Sequence, residues 1–238
     1  MGSRSFASLR GVGASAPAIG QHLIELYDIT THTTAELVKM KRAESVASVT
    51  RPVAQGGPDL ASLWYAGVSE AVQKLHSSGV QLALCTSNLR VITSAVLKAG
   101  SLDDAFAKRI VQEDIGNERM KPDPTPYIRA VSQSSKARVL RCCAPHTDCV
   151  LAQLELVGDD GGHTVAFEDS ANGVRSAVGA GIRHVLGVCN NCESHAEAMI
   201  AAEQLFTAGA VGTFRTTVDA IEWVLAEMQQ SPRGRSKL

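Results

Sequence analysis

The sequence predicts an α/β fold, a doubly wound and mostly parallel sheet with helices on both faces. Short, largely apolar runs of strand length recur at 80–85, 164–168 and 184–188. Continuous apolar runs are typical of strands that are buried on both faces, as in parallel sheets. Segments of helical periodicity separate these runs, and alternating strands and helices favour β-α-β units. Polar residues close the first two runs, and sheets of this class bind ligands at the carboxyl ends of their strands.

Two short helices are predicted ahead of this pattern, at 21–28 and 33–47. The second begins with Thr-Thr-Ala-Glu, in which Thr33 and Glu36 have the spacing of a capping box. Proline and glycine residues between 48 and 63 indicate a linker or turn. The remaining predicted elements are a helix closed by Gly79, helices at 89–99, 125–133, 173–180 and 216–229, and strands at 80–85, 109–112, 164–168 and 184–188.

The composition is that of a globular, soluble protein without a strong electrostatic field. The chain has 238 residues, 45% of them hydrophobic and 20% charged, with a formal net charge of -1. This balance predicts no attraction to nucleic acid or to an anionic membrane, and no run approaches the ~18 apolar residues of a membrane span. Six cysteines are too few for a disulfide scaffold in a chain of this length, so we expect a reducing, cytoplasmic compartment.

The first 20 residues contain Arg4 and Arg10, several serines and alanines, and no acidic residue. This composition is compatible with a transit peptide for an organelle, and an ordinary flexible N-terminus is the alternative. The sequence makes no prediction of the oligomeric state.

Two polar stretches have the chemistry of an anion site. Thr86, Ser87 and Asn88 follow a predicted strand and precede a predicted helix, so a hydroxyl, amides and a helix N-terminus meet there. An ordinary helix N-cap is the alternative. Lys121 lies in Arg-Met-Lys-Pro-Asp-Pro-Thr-Pro-Tyr, where prolines restrict the backbone. Its ammonium suits a phosphate or a carboxylate cluster, although Lys-Pro is also common in surface loops.

Glu168 and Asp169 place two carboxylates at the end of the strand at 164–168. Carboxylate oxygens are ligands that Mg²⁺ takes, with waters and a substrate phosphate completing the shell. A divalent cation would also remove the repulsion between the two charges. A solvated Glu-Asp pair at a helix start is the alternative, because the helix dipole favours acidic residues there.

Taken in order, these stretches resemble the haloacid dehalogenase-like hydrolase superfamily, and within it the beta-phosphoglucomutase-like and phosphatase branch. The likeness covers residues 20–133 and 163–222 and includes Phe-Glu-Asp-Ser-x-x-Gly at 167–173. It implies Mg²⁺-dependent phosphatase or phosphomutase chemistry on a small phosphorylated metabolite. It assigns catalytic and phosphate-binding roles to Thr86 and Lys121, and Mg²⁺ binding to Asp169 with Glu168 beside it. Ser87 and Asn88 complete the expected phosphate site.

The resemblance also implies domain boundaries. We expect a flexible N-terminus at 1–20, part of a helical cap at 21–60, an α/β core at 61–230 and a flexible C-terminus at 231–238. Residues 134–162 match nothing in the family pattern and are predicted to be an insertion.

The first motif of the family, Asp-x-Asp-Gly-Thr after a central strand, has no counterpart ahead of the predicted cap. Its first aspartate is the nucleophile and its second is the general acid. Asp28 is the first aspartate of the chain and lies at a predicted helix end. Gly-Asp-Asp-Gly-Gly at 158–162 follows an apolar stretch, but Gly158 stands in the nucleophile position and a hairpin turn is favoured. We therefore expect the chain to lack the first core strand and the nucleophile, and to be inactive as written.

Cysteines supply a further hypothesis. Cys142, Cys143, His146 and Cys149 could in principle bind zinc, and Cys189 and Cys192 form a spaced pair, although free thiols fit these spacings better. Three functions stay open at this point. They are a Mg²⁺-dependent phosphatase or phosphomutase relative, a non-catalytic phosphate- and Mg²⁺-binding relative, and a zinc- or redox-responsive binding protein.

Overall fold

The structure of the chain, a computed structural model, describes residues 16–132, 150–152 and 164–230. The predictions for residues 1–15, for zinc binding by Cys142, Cys143, His146 and Cys149, and for the turn at 158–162 lie outside the described residues. The chain divides into two compact units, Met1–Asp59 and Leu60–Leu238. No described helix combines the length and the apolar character that crossing a membrane requires.

The described part of the first unit contains α1 (Ala16–Tyr27), α2 (Thr34–Thr50) and a 3₁₀ turn at Val53–Gln55. The predicted capping box is confirmed, because the Glu36 amide donates to Thr33 Oγ1 at 3.3 Å and the Thr33 amide donates to Glu36 Oε2 at 2.7 Å. Both bonds satisfy amides that the start of a helix leaves without a partner in the helix.

The described part of the second unit alternates strands and helices after a 3₁₀ turn at Leu60–Leu63. Its elements are α3 (Val68–Ser77), β1 (Leu82–Cys85), α4 (Arg90–Ala99), β2 (Phe106–Ile110), α5 (Gln112–Ile115), α6 (Thr125–Ser132), β3 (Val150–Ala152), β4 (Val165–Glu168), α7 (Ala171–Gly179), β5 (His184–Val188), α8 (His195–Ala208), β6 (Gly212–Phe214) and α9 (Thr217–Gln230).

The strands form one six-stranded sheet in the order β2-β1-β3-β4-β5-β6. The pairs β1–β2, β4–β5 and β5–β6 are parallel. The predicted fold class, α/β with a mostly parallel sheet, is therefore confirmed.

Strand β3 lies at the centre of the sheet and runs antiparallel to both neighbours. Leu151 pairs with Ala83 of β1 on one side and with Ala166 of β4 on the other. The family resemblance implies a parallel first strand in the core, but none of the described strands runs parallel to β1 and β4 in the place between them. One antiparallel strand is compatible with the predicted, mostly parallel sheet, and three residues of the 134–162 segment form it at the centre. Their pairing leaves no open strand edge inside the sheet.

Successive strand residues face two different hydrophobic clusters. Leu82 and Phe167 belong to one cluster, which also contains buried residues of α3 and α9. Ala83 and Ala166 belong to the other, with buried residues of α6, α7 and α8. Side chains of a strand alternate between its faces, so a strand covered on both faces is apolar throughout. The helices on both faces thus explain the continuous apolar runs.

Local patterns predicted some elements better than others. Strand β5 has the predicted bounds, whereas β2 begins at Phe106 and not at 109. Helices α5 and α8 and strands β3 and β6 went unpredicted. In α8, buried Ala198 and Leu205 alternate with exposed Met199 and Ile200, so the apolar residues form no single stripe.

Candidate functional site

Thr86 lies directly after β1 and closes a tight turn. Its amide donates to the Ile110 carbonyl at 2.9 Å, which extends the pairing of β1 with β2 by one residue. Its Oγ1 accepts the Asn88 amide at 3.1 Å, and the side chain is almost completely buried. The Asn88 carbonyl in turn accepts the Gln112 amide at 3.1 Å. The hydroxyl that sequence analysis assigns to phosphate is therefore held at the carboxyl end of β1.

Helix α4 begins at Arg90 with Leu89 as its N-cap, so the alternative that Thr86, Ser87 or Asn88 is an ordinary N-cap is wrong. The Arg90 amide donates to both carboxylate oxygens of Glu113, at 2.9 and 3.1 Å. A carboxylate at this place complements the positive end of the helix dipole. The amide at the start of α4 thus already has an anionic partner from α5.

Lys121 connects the end of β1 with the end of β4. Its Nζ donates to the Cys85 carbonyl at 3.3 Å and lies 3.3 Å from Glu168 Oε1. The ammonium is also 5.6 Å from the centroid of the Tyr127 ring, within the range of a cation–π contact. The Lys121 side chain is 7% exposed, so these contacts replace most of its hydration. Two of the predicted site residues, Lys121 and Glu168, are therefore in direct contact.

Glu168 is the last residue of β4 and is completely buried. The Tyr127 hydroxyl donates to its Oε1, the same oxygen that faces Lys121. The pKa of Glu168 is raised to about 8, chiefly by burial; the charge of Lys121 opposes this rise, the neighbouring charge of Asp169 adds to it, and the hydrogen bonds from Tyr127 and Lys121 oppose it. Removing a carboxylate from water disfavours its charged form, which is why burial dominates.

Gly173 makes room for the Glu168 carboxylate. Gly173 lies in the first turn of α7, and its amide donates to Ser170 Oγ, the N-cap, at 3.2 Å. A Cβ added to Gly173 would overlap the carboxylate group of Glu168. Packing thus explains the glycine of the Glu-Asp-Ser-x-x-Gly sequence, because α7 passes directly over the end of β4.

Asp169 follows Glu168 at the carboxyl end of the sheet and is partly exposed. Asn191, in the turn after β5, donates from Nδ2 to Asp169 Oδ2 at 3.5 Å. The Tyr65 hydroxyl, from the segment before α3, donates to Asn191 Oδ1. The two neighbouring carboxylates therefore have different surroundings, one enclosed by Lys121 and Tyr127 and one reached from a surface turn.

Sequence reasoning missed Tyr127, Asn191 and Tyr65. Tyr127 is the last residue of the proline-rich stretch that contains Lys121, so its position in that motif could have identified it as a site residue. Asn191 lies between the two cysteines of Cys-Asn-Asn-Cys, and the interpretation of that stretch considered only the cysteines. Tyr65 is 126 residues away from Asn191 in sequence, and no local pattern connects them.

Cys189 and Cys192 are free thiols in the turn after β5. Burial raises the pKa of the Cys189 thiol to about 11 and also raises the pKa of Cys192. Thiolates are the species that bind metals and attack disulfides, so raised pKa values work against both activities. In residues 16–132, 150–152 and 164–230, no three His, Cys, Asp or Glu side chains form a metal-binding group. This turn gives the zinc and redox hypothesis no support.

A two-sided α/β sheet with a lysine and two carboxylates at the carboxyl ends of its strands is the architecture of proteins that bind small ligands at that edge. A model of the family described as haloacid dehalogenase-like hydrolase matches residues 17–139. That match spans more than half of the chain, which therefore belongs to the haloacid dehalogenase-like hydrolase family, as its motifs predicted. The matched residues include Thr86 and Lys121 and end before Glu168 and Asp169.

Individual relatives cover the chain unevenly. Pyrophosphatase PpaX of Halalkalibacterium halodurans is 35% identical over 68 residues, which are 29% of this chain and 31% of PpaX. The matched part is thus about a third of that relative's length.

Solved structures match over longer stretches. A hydrolase from Pseudomonas syringae has a TM-score of 0.59 at 14% identity, over 93% of this chain and 83% of its own, which supports the fold alone. A Thermotoga maritima structure, provisionally described as a beta-phosphoglucomutase, has a TM-score of 0.48 at 25% identity, over 68% of this chain and 60% of its own.

Proposed function

We propose that this chain is a Mg²⁺-dependent member of the phosphatase and phosphomutase type, which binds the phosphate group of a small metabolite at the carboxyl ends of β1 and β4. The observation that carries the proposal is the position of Lys121. Its Nζ lies 3.3 Å both from the Cys85 carbonyl, directly before Thr86, and from Glu168 Oε1, directly before Asp169. One cation thereby joins the expected phosphate-binding and metal-binding strand ends.

On the phosphate side, Thr86 and Lys121 would supply the donors, with Ser87 and Asn88 in the same turn. Thr86 Oγ1 accepts the Asn88 amide, and a hydroxyl that accepts keeps its own proton to donate. An ammonium held at a fixed place offsets the charge of a phosphate without needing bidentate geometry. The name of the relative PpaX, a pyrophosphatase, favours a phosphate-containing substrate.

On the metal side, the donor chemistry fits Mg²⁺, which prefers carboxylate oxygens and retains water. Asp169 is the candidate direct ligand, because it is partly exposed at the edge of the sheet. Glu168 is completely buried against Lys121 and Tyr127, so its role is to hold Lys121 beside the site. When bound, Mg²⁺ would offset the negative charge of the phosphate group. Lys121 would orient that group, and Thr86 would donate to it.

No residue of this chain is proposed as a nucleophile. The whole sequence contains no Asp-x-Asp triplet, which in the family supplies both the nucleophile and the general acid. We therefore expect this chain to bind phosphate and Mg²⁺ without turnover. A catalytic member would need a carboxylate that replaces the missing aspartate.

The test combines binding and hydrolysis on the same preparation. Thermal unfolding is measured with inorganic phosphate, with MgCl₂ and with both, and hydrolysis of p-nitrophenyl phosphate is followed with and without MgCl₂. Asp169→Asn tests the metal ligand and Lys121→Met tests the phosphate contact. Asp104→Asn, at an exposed turn position, is the matched control.

We expect phosphate and Mg²⁺ together to stabilise the wild-type chain against thermal unfolding. Asp169→Asn should lose the part of this stabilisation that depends on Mg²⁺, and Lys121→Met the part that depends on phosphate. Asp104→Asn should retain both. Absence of any stabilisation in the wild-type chain would reject the proposal. Mg²⁺-dependent turnover that disappears in Asp169→Asn would show that another group replaces the missing nucleophile, and would overturn the expectation of binding without turnover.

A further inference from the structure

The turn at 189–192 contacts the candidate metal ligand through an asparagine. Asn191 Nδ2 donates to Asp169 Oδ2 at 3.5 Å, and its Oδ1 accepts the Tyr65 hydroxyl. An asparagine amide has a donor end and an acceptor end, and these two partners determine which way round it lies. The side chain thus connects the segment before α3 with the carboxylate after β4.

The backbone of this turn is anchored on both sides of Asn191. Arg215 donates from Nη1 to the Cys189 carbonyl at 2.6 Å and from Nη2 to the Cys192 carbonyl at 2.5 Å. The rigid fork of the guanidinium suits two carbonyls at once. The Cys192 amide also donates to the Cys189 carbonyl at 3.2 Å, which closes the turn.

The residue before Asn191 adds a second anchor. Asn190 Nδ2 donates to Thr217 Oγ1 at 2.7 Å, and the Thr217 amide donates to Asn190 Oδ1 at 2.8 Å. Thr217 is completely buried at the start of α9. The position of Asn191 is therefore determined by contacts with the segment at 215–217, independently of Asp169.

We propose that Asn191 is a positioning residue that orients the Asp169 carboxylate for Mg²⁺, and that Tyr65 holds the Asn191 amide in the orientation this requires. The inference rests on the proposed function, in which Asp169 binds the metal. A carboxylate can rotate about its bond to Cβ, and a donor on one oxygen restricts that rotation. Ligands whose orientation is restricted in this way bind metals more tightly, and loss of such a partner typically lowers metal affinity.

The experiment measures Mg²⁺ affinity by isothermal titration calorimetry in the wild-type chain, Asn191→Leu and Tyr65→Phe. Leucine keeps the branching of the asparagine side chain without its hydrogen bonds, and phenylalanine retains the packing of the Tyr65 ring. Tyr27→Phe, which removes the hydroxyl of a 62% exposed tyrosine in the first unit, is the matched control. Inorganic phosphate affinity without metal and urea unfolding in EDTA are measured for every variant.

We expect Asn191→Leu to weaken Mg²⁺ binding by about tenfold, the lower end for a lost partner of a metal ligand. Tyr65→Phe should weaken it by about threefold, as for one neutral hydrogen bond. Phosphate affinity, unfolding in EDTA and the Tyr27→Phe control should match the wild type.

Several outcomes would overturn the inference. Wild-type Mg²⁺ affinity in folded Asn191→Leu removes the positioning role. Weaker binding that accompanies lower stability in Asn191→Leu, with Tyr65→Phe unchanged, shows that Asn191 only maintains the turn. If Asn191→Leu does not fold, Tyr65→Phe decides, and unchanged affinity there rejects the inference. A wild-type chain that does not bind Mg²⁺ rejects the proposed function and this inference together.

Discussion

Glu168 should make the stability of the metal-free chain fall as the pH rises. Its carboxyl has a pKa of about 8 in the folded chain, against an ordinary value of 4.5, chiefly because it is completely buried. Between these values the unfolded chain releases the proton while the folded chain keeps it. The unfolded state then binds fewer protons, so the free energy of unfolding decreases with pH. Below pH 4.5 this penalty is absent, and above about pH 8 it is complete.

The size of the effect follows from the two pKa values. In the interval between them, each unit of pH costs at most about 1.4 kcal/mol of unfolding free energy. Integrating between pH ~5 and pH ~7.5 gives a loss of about 3 kcal/mol from this one group. That is a large share of the ~5–15 kcal/mol that stabilises a typical domain.

The assay compares the wild-type chain with Glu168→Gln, which keeps the size of the side chain and removes its titration. Urea unfolding is measured in EDTA at several pH values between ~5 and ~7.5, the window in which the linkage is steep. Glu222→Gln, an exposed substitution on α9, controls for the loss of one carboxylate.

As the pH rises across this window, the free energy of unfolding of Glu168→Gln should increase relative to that of the wild-type chain by about 3 kcal/mol. A difference that does not change with pH would refute the reasoning. It would mean that Lys121 and Tyr127 keep Glu168 ionised in the folded chain despite its burial.

Substitutions at three further positions, two of them with a comparison variant, test the packing of the site and of the sheet by urea unfolding. Gly173→Ala should lower the free energy of unfolding by about 1–3 kcal/mol, because its Cβ would overlap the Glu168 carboxylate. Gly179→Ala, in the same helix, should leave the free energy of unfolding unchanged or raise it, because its Cβ would meet the nearest atom at an ordinary 3.4 Å. Equal effects would contradict the proposed overlap. Leu151→Pro should cost about 1–3 kcal/mol more than Leu151→Ala, because proline removes an amide from a strand that is paired on both sides; equal losses would argue against a central β3. Glu113→Ala should lower the free energy of unfolding by about 1 kcal/mol, because the start of α4 loses its carboxylate partner. An unchanged unfolding midpoint would count against that contact.

The candidate site shows where inference from sequence stops. Lys121 and Glu168 were each recognisable from their neighbours, and the structure puts them in contact. Tyr127 was visible in the same motif, but only packing brings its hydroxyl to Glu168, 41 residues away in sequence. The carboxylate that accepts the first amide of α4 belongs to Glu113, which becomes a neighbour only because β2 places α5 beside that helix.

The sequence by itself determined the alternation of most strands and helices, the capping box that begins α2, and the polar residues at the ends of β1 and β4. These depend on periodicity and on contacts between near neighbours, which a linear pattern contains. Only the tertiary structure decided that β3 fills the centre of the sheet in the reverse direction, that Glu168 is enclosed by Lys121 and Tyr127, and that Asn191 reaches Asp169. These features join residues far apart in the chain, and the pairing and burial that create them exist only once the sheet and its helices have packed together.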